Sequence, residues 1–445
     1  MSQLIAQNGR RSPSAVKRPG GVLVAALLGF FMMALDSTAV NVALPSIGRS
    51  FGGSAGSVTD LQWVVDGYVL MFAALLISAG AASDRFGARR LYATGLCLFA
   101  LASAACGLAP AMWFLIGARF VQGGAAALAL PASLALIRQG YADPVARASA
   151  VARWTVGGAV AVAAGPVIGG VLTTAVSWRA IFFVNLPVAV LALALLLRVP
   201  GSPRRVVPLD LPGQVALVIA LAALTYGIVS SRPALLLVSL GAVGVFVAVE
   251  ARTAHPMLPL ALFRTWPVTV CVVCGFMVNV AFYGPIFVFS LYFQRVLGMS
   301  AVAAGLMFAP MTALVSVANL SSARVAARFG PRLPIWTGQL VCAFGLFGLA
   351  CTASRLVIVV LLVPVGLGLG FVVPSLTTML LDAIPACQAG LAAGVLNSSR
   401  QLGGAVAVAV FGALVTHSFV QGMHTTLLIT GALLLATAAA ARSIS

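Results

Sequence analysis

Long apolar runs, separated by short charged or Pro- and Gly-rich segments, repeat along the whole chain. A helix needs about 20 mostly apolar residues to cross a membrane, and the polar breaks leave fourteen runs of that order. The pattern predicts an all-α polytopic membrane protein whose helices span residues 21–44, 58–80, 91–109, 112–137, 148–174, 180–198, 211–230, 233–249, 266–293, 301–322, 334–353, 356–381, 390–416 and 424–441. Because two of these runs, 233–249 and 424–441, are short, twelve spans are the alternative.

The composition excludes a soluble globule. Of the 445 residues, 61% are hydrophobic and only 8% are charged, against about 25% charged residues in a soluble domain. The net charge of +18 does not indicate nucleic-acid binding, because the basic residues are scattered singly and in pairs between apolar runs. The lipid bilayer is therefore the expected partner.

The basic residues predict the orientation in the membrane. Most of the 26 fall on one side of the predicted spans, two (Arg119 and Arg400) lie inside spans, and the exceptions on the other side are Arg49, Arg179, Arg232, Arg295 and Arg355. Cytoplasmic loops carry the excess of Lys and Arg, so both termini are predicted to be cytoplasmic. The preference for arginine over lysine, with abundant alanine, is typical of G+C-rich bacterial genes, which indicates a multi-pass protein of the bacterial inner membrane.

A short loop occurs twice in the chain. The segment Asp84-Arg85-Phe86-Gly87-Ala88-Arg89-Arg90 between spans two and three returns as Ala327-Arg328-Phe329-Gly330-Pro331-Arg332 between spans ten and eleven. Such a parallel repeat is typical of transporters whose halves move about a midplane site. We therefore predict an N-terminal tail (1–20), a six-helix bundle (21–199), a linker with two additional helices (200–250) and a second six-helix bundle (251–445).

Several motifs resemble those of the major facilitator superfamily, in particular its fourteen-span drug:proton antiporters. They are Leu35 to Pro45 in span one, Gly80 to Arg90 in the repeated loop, Arg119-x-x-Gln122-Gly123 in span four, Gly165-Pro166-x-x-Gly169-Gly170 in span five, Trp178 to Pro187, and Gly390 to Gly404. The resemblance implies the two-bundle fold of that superfamily and efflux of small molecules in exchange for protons.

The same resemblance implies two conformational elements. The loop with Gly80, Asp84, Arg85, Gly87, Arg89 and Arg90 would form a cytoplasmic clasp, although topology alone also explains its arginines. The segment with Gly165, Pro166, Gly169 and Gly170 would take part in rocking and prevent proton leak. A proline breaks one helical hydrogen bond and glycines permit close helix contact, so a simple kink is the alternative.

Proton coupling requires a carboxylate that binds and releases a proton while buried. Among the eight acidic residues, only Asp36 and Asp66 lie well inside predicted spans. Arg119 lies at a similar depth in span four. An unpaired charge at this depth costs several kcal/mol, so we expect Asp36 to pair with Arg119. The alternative is that Asp36 is a structural charge and that Asp66 carries the proton.

A substrate cavity is expected near the centre of the spans. Its candidate lining residues are polar or aromatic: Phe31, Asn41, Trp63, Tyr68, Gln122, Asn279, Tyr283, Asn397 and Arg400. Each could equally serve packing or face lipid, and Arg400 could have a purely structural role, since no acidic residue lies inside the spans of its own half.

Together these features predict a monomeric exporter rather than an enzyme. We expect proton-coupled efflux of lipophilic, cationic or antibiotic-like small molecules by rocker-switch alternating access, with no metal or cofactor. The three histidines lie outside any catalytic motif, and the only lysine, Lys17, forms no nucleotide-binding loop. A dedicated metabolite exporter or a proton symporter of the same superfamily is the alternative.

Overall fold

The computed structural model describes residues 19–51, 57–141, 143–202, 210–230, 232–253, 256, 258, 260–352, 354–384, 389–416 and 418–444. Within these ranges the chain is helical. The helices are α1 (Pro19–Ser50), α2 (Val58–Phe86), α3 (Ala88–Gly107), α4 (Met112–Gly140), α5 (Pro144–Ala175), α6 (Ala180–Phe183), α7 (Asn185–Leu196), α8 (Leu211–Val229), α9 (Pro233–Arg252), α10 (Trp266–Leu291), α11 (Ala301–Phe329), α12 (Arg332–Leu349), α13 (Arg355–Asp382), α14 (Ala389–Val415) and α15 (Phe419–Arg442). A 3₁₀ turn precedes α10 and a π turn follows it.

Twelve helices in the described part of the chain are long and apolar enough to cross a membrane. The two short runs at 233–249 and 424–441 are among them, as α9 and α15. The predicted spans 180–198 and 334–353 are not: the first consists of the short helices α6 and α7, and the second is α12, whose first half contains Arg332, Pro334 and Gln339. The structure thus supports an all-helical protein with twelve candidate spans rather than the predicted fourteen.

The helices pack as two sets with a pair between them. In the first set (α1–α7), α1 packs on α5, α7 and α4, while α4 also packs on α2 and α3. In the second set (α10–α15), α10 packs on α14, and α13 packs on α11 and α12. The intervening helices α8 and α9 pack on each other, and α8 also contacts α2 and α14. Gln214 of α8 donates a hydrogen bond of 2.9 Å to the carbonyl oxygen of Ala74 in α2.

The repeated loop has the same backbone feature in both copies. Gly87, between α2 and α3, has φ 89°, and Gly330, between α11 and α12, has φ 80°. Only glycine adopts such a conformation without strain, so the repeated glycine is required by the turn. In each copy, an arginine stacks over the phenylalanine that precedes the glycine, with Arg85 5.7 Å from the Phe86 ring centroid and Arg328 5.2 Å from that of Phe329.

The two sets are joined over the half of the molecule that lies away from the repeated loops. We call the end that contains Arg85, Arg89, Arg90, Arg328 and Arg332 the basic end, and the other the opposite end. Toward the opposite end, Ser290 donates a hydrogen bond to the carbonyl oxygen of Asn41 (2.7 Å) and Gln294 to that of Val42 (2.9 Å). Gln62 donates a hydrogen bond to the carbonyl oxygen of Ala409 (2.9 Å). These contacts join the two sets at the opposite end, and we call this junction the seal.

Helix α5 is the other junction between the sets, and its glycines set the helix spacing. A Cβ atom added at Gly169 would lie 2.6 Å from the carbonyl oxygen of Ala39 in α1. A Cβ added at Gly170 would lie 2.6 Å from the carbonyl oxygen of Ala301 in α11. Thr312 of α11 donates a hydrogen bond of 3.0 Å to the carbonyl oxygen of Ala163. The predicted glycine motif therefore packs α5 against α1 of the first set and against α11 of the second set.

Replacing Gly170 with alanine should force α5 and α11 apart. Overpacking of this kind costs about 1–3 kcal/mol, so we expect a lower melting temperature for the purified protein in detergent. Gly244→Ala in α9 is the matched control, because a Cβ added there meets nothing within 4 Å, and it should melt like the wild type. Equal melting of the two variants would contradict the close packing at Gly170.

Candidate functional site

An ion pair lies in the interior of the first set. Asp36 is near the middle of α1, and Arg119 is two turns after the start of α4. Their side chains are 0% and 1% exposed, and Nη1 of Arg119 lies 2.5 Å from Oδ2 of Asp36. The structure thus brings the two predicted residues together. A buried pair is stable only if further hydrogen bonds satisfy both groups.

The second oxygen of Asp36 is held by two amides. Asn185 of α7 and Gln122 of α4 donate hydrogen bonds to Oδ1, at 3.0 Å and 3.2 Å. The same two amides donate to the hydroxyl of Ser103 in α3, at 2.9 Å and 2.7 Å. Residues from four helices of the first set therefore converge on the acid, so the charge of Asp36 helps to order the interior of that set.

Arg119 has partners besides the acid. Its Nε donates a hydrogen bond of 2.9 Å to the carbonyl oxygen of Val64, and Nη1 donates one of 2.7 Å to Gln122. The guanidinium carbon lies 4.4 Å from the ring centroid of Tyr68, a geometry that stabilises a buried cation. These contacts remain available if Asp36 becomes neutral, so the site can lose one charge without releasing the arginine.

Two members of this site were not predicted. Ser103 is not among the candidate site residues, and Asn185 is included only as part of the motif from Trp178 to Pro187. The available signal was a polar residue inside an apolar span, at 91–109 for Ser103 and 180–198 for Asn185. Periodicity does not show which polar residues share an interior, because the contact depends on how α3 and α7 pack on α1 and α4.

Asp66 is buried in a different setting. It is 0% exposed, and neither carboxyl oxygen has a hydrogen-bond partner within the described residues. It is followed by Gly67, where an added Cβ would lie 3.2 Å from the ring of Phe120. An ionised carboxylate without hydrogen bonds is costly in such a place. The two intramembrane acids therefore differ: Asp36 is paired, and Asp66 is not.

A second polar cluster lies in the second set. Nε of Arg400 in α14 donates a hydrogen bond of 3.3 Å to Oδ1 of Asn279 in α10, and Nη1 donates one of 3.4 Å to Oδ1 of Asn397. Arg400 is half-buried, Asn397 is exposed and Asn279 is buried. Tyr283, half-buried, lies beside this cluster with its hydroxyl next to that of Ser37 in α1. Arg400 forms no ion pair with any described residue.

The other predicted cavity residues are dispersed. Phe31 packs in an apolar cluster with Ala34 and Leu35. The ring of Trp63 lies 6.1 Å from that of Phe120 and 5.8 Å from that of Tyr226 in α8. Asn41 lies at the junction of the two sets. Tyr68 and Gln122 lie around the ion pair. Asn279, Tyr283, Asn397 and Arg400 form a separate group in the second set.

The predicted clasp residues lie at the basic end. Nε of Arg89 donates a hydrogen bond of 3.2 Å to the carbonyl oxygen of Leu196, so it ties the start of α3 to the end of α7. Arg85 and Arg90 are exposed, and an added Cβ at Gly80 meets nothing within 4 Å. The side chain of Asp84 lies outside the described residues. In the second predicted element, the carbonyl oxygen of Pro166 lies against Gly305 of α11.

The described helices pack as two sets, each with a polar cluster, and sequence comparison identifies the family. The sequence profile of the Major Facilitator Superfamily matches residues 26–408. The chain therefore belongs to the Major Facilitator Superfamily, and it is a transporter rather than an enzyme.

Characterised relatives cover most of the chain. The methylenomycin A resistance protein of Streptomyces coelicolor is 37% identical over 420 residues, which cover 90% of this chain and 86% of the relative. The multidrug resistance protein Stp of Mycobacterium tuberculosis strain H37Rv is 35% identical over 410 residues, 88% of this chain and 75% of the relative. The tetracenomycin C resistance and export protein of Streptomyces glaucescens is 34% identical over 413 residues, 89% of this chain and 76% of the relative.

Solved structures show the same fold at low identity. A D-xylose-proton symporter aligns with a TM-score of 0.72 and 17% identity, covering 95% of this chain and 97% of the symporter. A bacterial homologue of the human lysosomal transporter Spinster, in an inward-facing and unoccupied conformation, aligns with a TM-score of 0.69 and 16% identity, covering 96% of this chain and 97% of the homologue.

Removing one partner of the ion pair should cost more stability than removing both. Arg119→Gln leaves the buried carboxylate of Asp36 without a counter-ion, which costs about 3–5 kcal/mol. We expect a large fall in the melting temperature in detergent, and partial recovery when Asp36→Asn is added to Arg119→Gln. If the double variant instead loses the sum of the two single effects, the two side chains do not act as a pair.

Proposed function

We propose that the chain exports lipophilic, cationic or antibiotic-like small molecules across the bacterial inner membrane in exchange for protons. The observation that carries this proposal is the fully buried Asp36–Arg119 pair. Support for export comes from relatives that are named as resistance proteins, drug efflux pumps and an export protein. Intramembrane acids mark proton pathways in transporters.

Protonation of Asp36 would act on the seal between the two sets of helices. The acid lies five residues, about 7.5 Å along the helix axis, from Asn41, whose carbonyl oxygen accepts the hydrogen bond from Ser290. Neutralising the acid removes its attraction to Arg119, so α1 is free to shift relative to α4. In this proposal, a shift of α1 opens the opposite end and closes the basic end, as rocker-switch alternating access requires.

The predicted conformational elements have defined places in this cycle. Arg89 holds α3 to α7, so the loops at the basic end move with the first set. The surface of α5 that slides on α1 and α11 consists of Gly165, Pro166, Gly169 and Gly170. The proposed clasp also contains Gly80, Asp84, Arg85, Gly87 and Arg90. Among the cavity candidates, the group around Arg400 is the one proposed to meet substrate, whereas Phe31 and Trp63 pack elsewhere.

We also propose the fourteen-span topology, with the predicted domain boundaries and a monomeric protein. Helices α6 and α7 together extend about 25 Å, and α12 about 27 Å, close to the thickness of the hydrocarbon core of about 30 Å. Both termini and the basic end would face the cytoplasm, because basic residues are retained on that side. With the opposite end sealed, the present conformation would then be open toward the cytoplasm.

Dedicated export of one metabolite is the second candidate. It is favoured by relatives that are named for single compounds, methylenomycin A and tetracenomycin C. Both candidates share the proton-coupled mechanism, and they differ in the number of compounds that evoke transport. A proton symporter would differ from both in the direction in which substrate and proton move.

The proposal predicts substrate-evoked proton release that depends on Asp36. Inverted membrane vesicles with an acidic interior should release protons when an exported compound is added, because each substrate molecule entering displaces a proton. Asp36→Asn should abolish the release, since an amide cannot carry the proton. The control is Asp382→Asn, which replaces an exposed acid at the end of α13.

Failure to evoke release with any compound in a broad panel of cations and antibiotics would favour an importer, and release by a single compound would favour the dedicated exporter. Release that survives in Asp36→Asn would contradict the role of the ion pair.

Asp66 is proposed as a second, modulating proton site. Asp66→Asn removes the charge without changing the side-chain volume, so folding should be preserved. We expect proton release in the same vesicles to persist with a several-fold change in coupling or substrate preference, because the ion pair remains intact. Complete loss of release in Asp66→Asn, with normal release in Asp36→Asn, would transfer the main role to Asp66.

A further inference from the structure

The polar group around Arg400 has the composition of an anion site. We propose that Arg400, Asn279 and Asn397 bind an acidic group on the transported compound, so that this protein preferentially exports lipophilic carboxylates or comparable organic anions. This inference rests on the proposed function, because it names the substrate class for the same transporter. It keeps the proton-coupled export of the proposed function, but it replaces the cationic compounds named there and expected from the sequence with anions.

The acids inside the spans cannot offer a charge to a cationic substrate in this conformation. Asp36 is 0% exposed, and both of its oxygens are occupied by Arg119, Gln122 and Asn185. Asp66 is also 0% exposed. A cation that enters from the basic end would therefore meet no accessible carboxylate from either residue.

Arg400 offers the opposite charge, and its hydrogen-bonding capacity is largely unused. A guanidinium carries five N–H donors, and the two hydrogen bonds described for Arg400 are long, at 3.3 Å and 3.4 Å. Within the described residues it has no acidic partner. Since an uncompensated cation deep in a membrane is costly, an anion at this position would be bound favourably.

The two asparagines extend the donor set. Each turns its side-chain oxygen toward Arg400, so each amide nitrogen faces away from the guanidinium with two N–H groups. Neither nitrogen makes a hydrogen bond to a described residue. A guanidinium fork matches the two oxygens of a carboxylate, and flanking amides can bind the outer lone pairs. The polar hydrogens that the cluster leaves unused are therefore the N–H groups of one arginine and two amides.

The position of the cluster suits a substrate site. Arg400 lies eleven residues from the start of α14, about 17 Å along the helix, and Asn279 lies about 20 Å from the start of α10. These depths are near the middle of a hydrocarbon core about 30 Å thick. Asn397, one turn closer to the basic end, is exposed. The exposed member of the cluster is therefore the one nearest the basic end.

The cluster also adjoins the proposed proton site. Tyr283 interacts with Arg400 and places its hydroxyl next to that of Ser37, the neighbour of Asp36 in α1. An anion held by Arg400 would thus lie near α1, the helix that carries Asp36. Exchange of one monovalent anion for one proton transfers two charges per cycle, so an interior-negative membrane potential would drive export. One-for-one exchange of a monovalent cation for a proton would be electroneutral.

The test compares three probes with one hydrophobic body: 4-biphenylacetate, its primary amide and (4-biphenylmethyl)trimethylammonium. Binding to the purified protein in detergent is measured by calorimetry, without a proton gradient. We expect the carboxylate to bind at least about tenfold more tightly than the amide, as for other charge-assisted pairs. Arg400→Gln should remove this preference and leave affinity for the amide unchanged, while Arg400→Lys should retain part of it.

The matched control is Arg252→Gln, which removes an exposed arginine at the end of α9 and should leave all three affinities unchanged. The inference would be overturned if the ammonium probe bound most tightly. It would also be overturned if Arg400→Gln and Arg400→Lys lowered the affinity for all three probes equally. Should Arg400→Gln fail to fold, Asn279→Ala serves as a second variant, with the same selective loss of carboxylate binding expected.

A transport measurement separates this inference from the proposed function. In proteoliposomes, selective Arg400-dependent binding of the carboxylate without any coupled proton movement would support the anion site and contradict antiport. Proton movement evoked by the ammonium probe alone would support antiport and overturn the anion site. Coupled export of the carboxylate that accelerates with membrane potential would support both.

Discussion

The hydrocarbon core offers no water to a charged side chain, and this constraint determines how the first set of helices is arranged. Asp36 and Arg119 are both fully buried, so each must be satisfied by protein groups. Gln122 of α4 and Asn185 of α7 provide such groups to Asp36, and Ser103 of α3 accepts a hydrogen bond from each of these two amides. Interhelical hydrogen bonds at this polar site therefore join apolar packing in fixing the arrangement of the first set.

The two sets repeat the same loop but not the same chemistry. Both copies keep a glycine with positive φ between consecutive helices. The first set encloses a neutral ion pair, whereas the second contains Arg400 without a described acidic partner. Helix α1 connects the two features, because it carries Asp36, contacts Tyr283 through Ser37 and seals the opposite end through Asn41. A proton and a substrate could thus influence each other through one helix, without sharing a binding group.

Composition and hydropathy were sufficient to predict an all-helical membrane protein, and the repeated loop predicted its internal symmetry. The pairing of Asp36 with Arg119 followed from depth, because two isolated opposite charges at one level favour contact. Three features required the fold. The span at 180–198 is broken at Val184. The hydrogen bonds from Asn185 to Asp36 and to Ser103 depend on helix packing, and Trp63 lies against α8 rather than with Arg400. A linear pattern gives the depth of a residue but not the helix that it faces.

In the proposed cycle, Asp36 changes protonation when substrate binds. Infrared difference spectroscopy of the purified protein observes this step directly, since a protonated carboxyl group and a carboxylate absorb at separate frequencies. Substrate binding to the proton-loaded protein should remove the band of one protonated carboxyl group, and this change should be absent in Asp36→Asn and retained in Asp382→Asn. A band change that persists unaltered in Asp36→Asn would contradict the account.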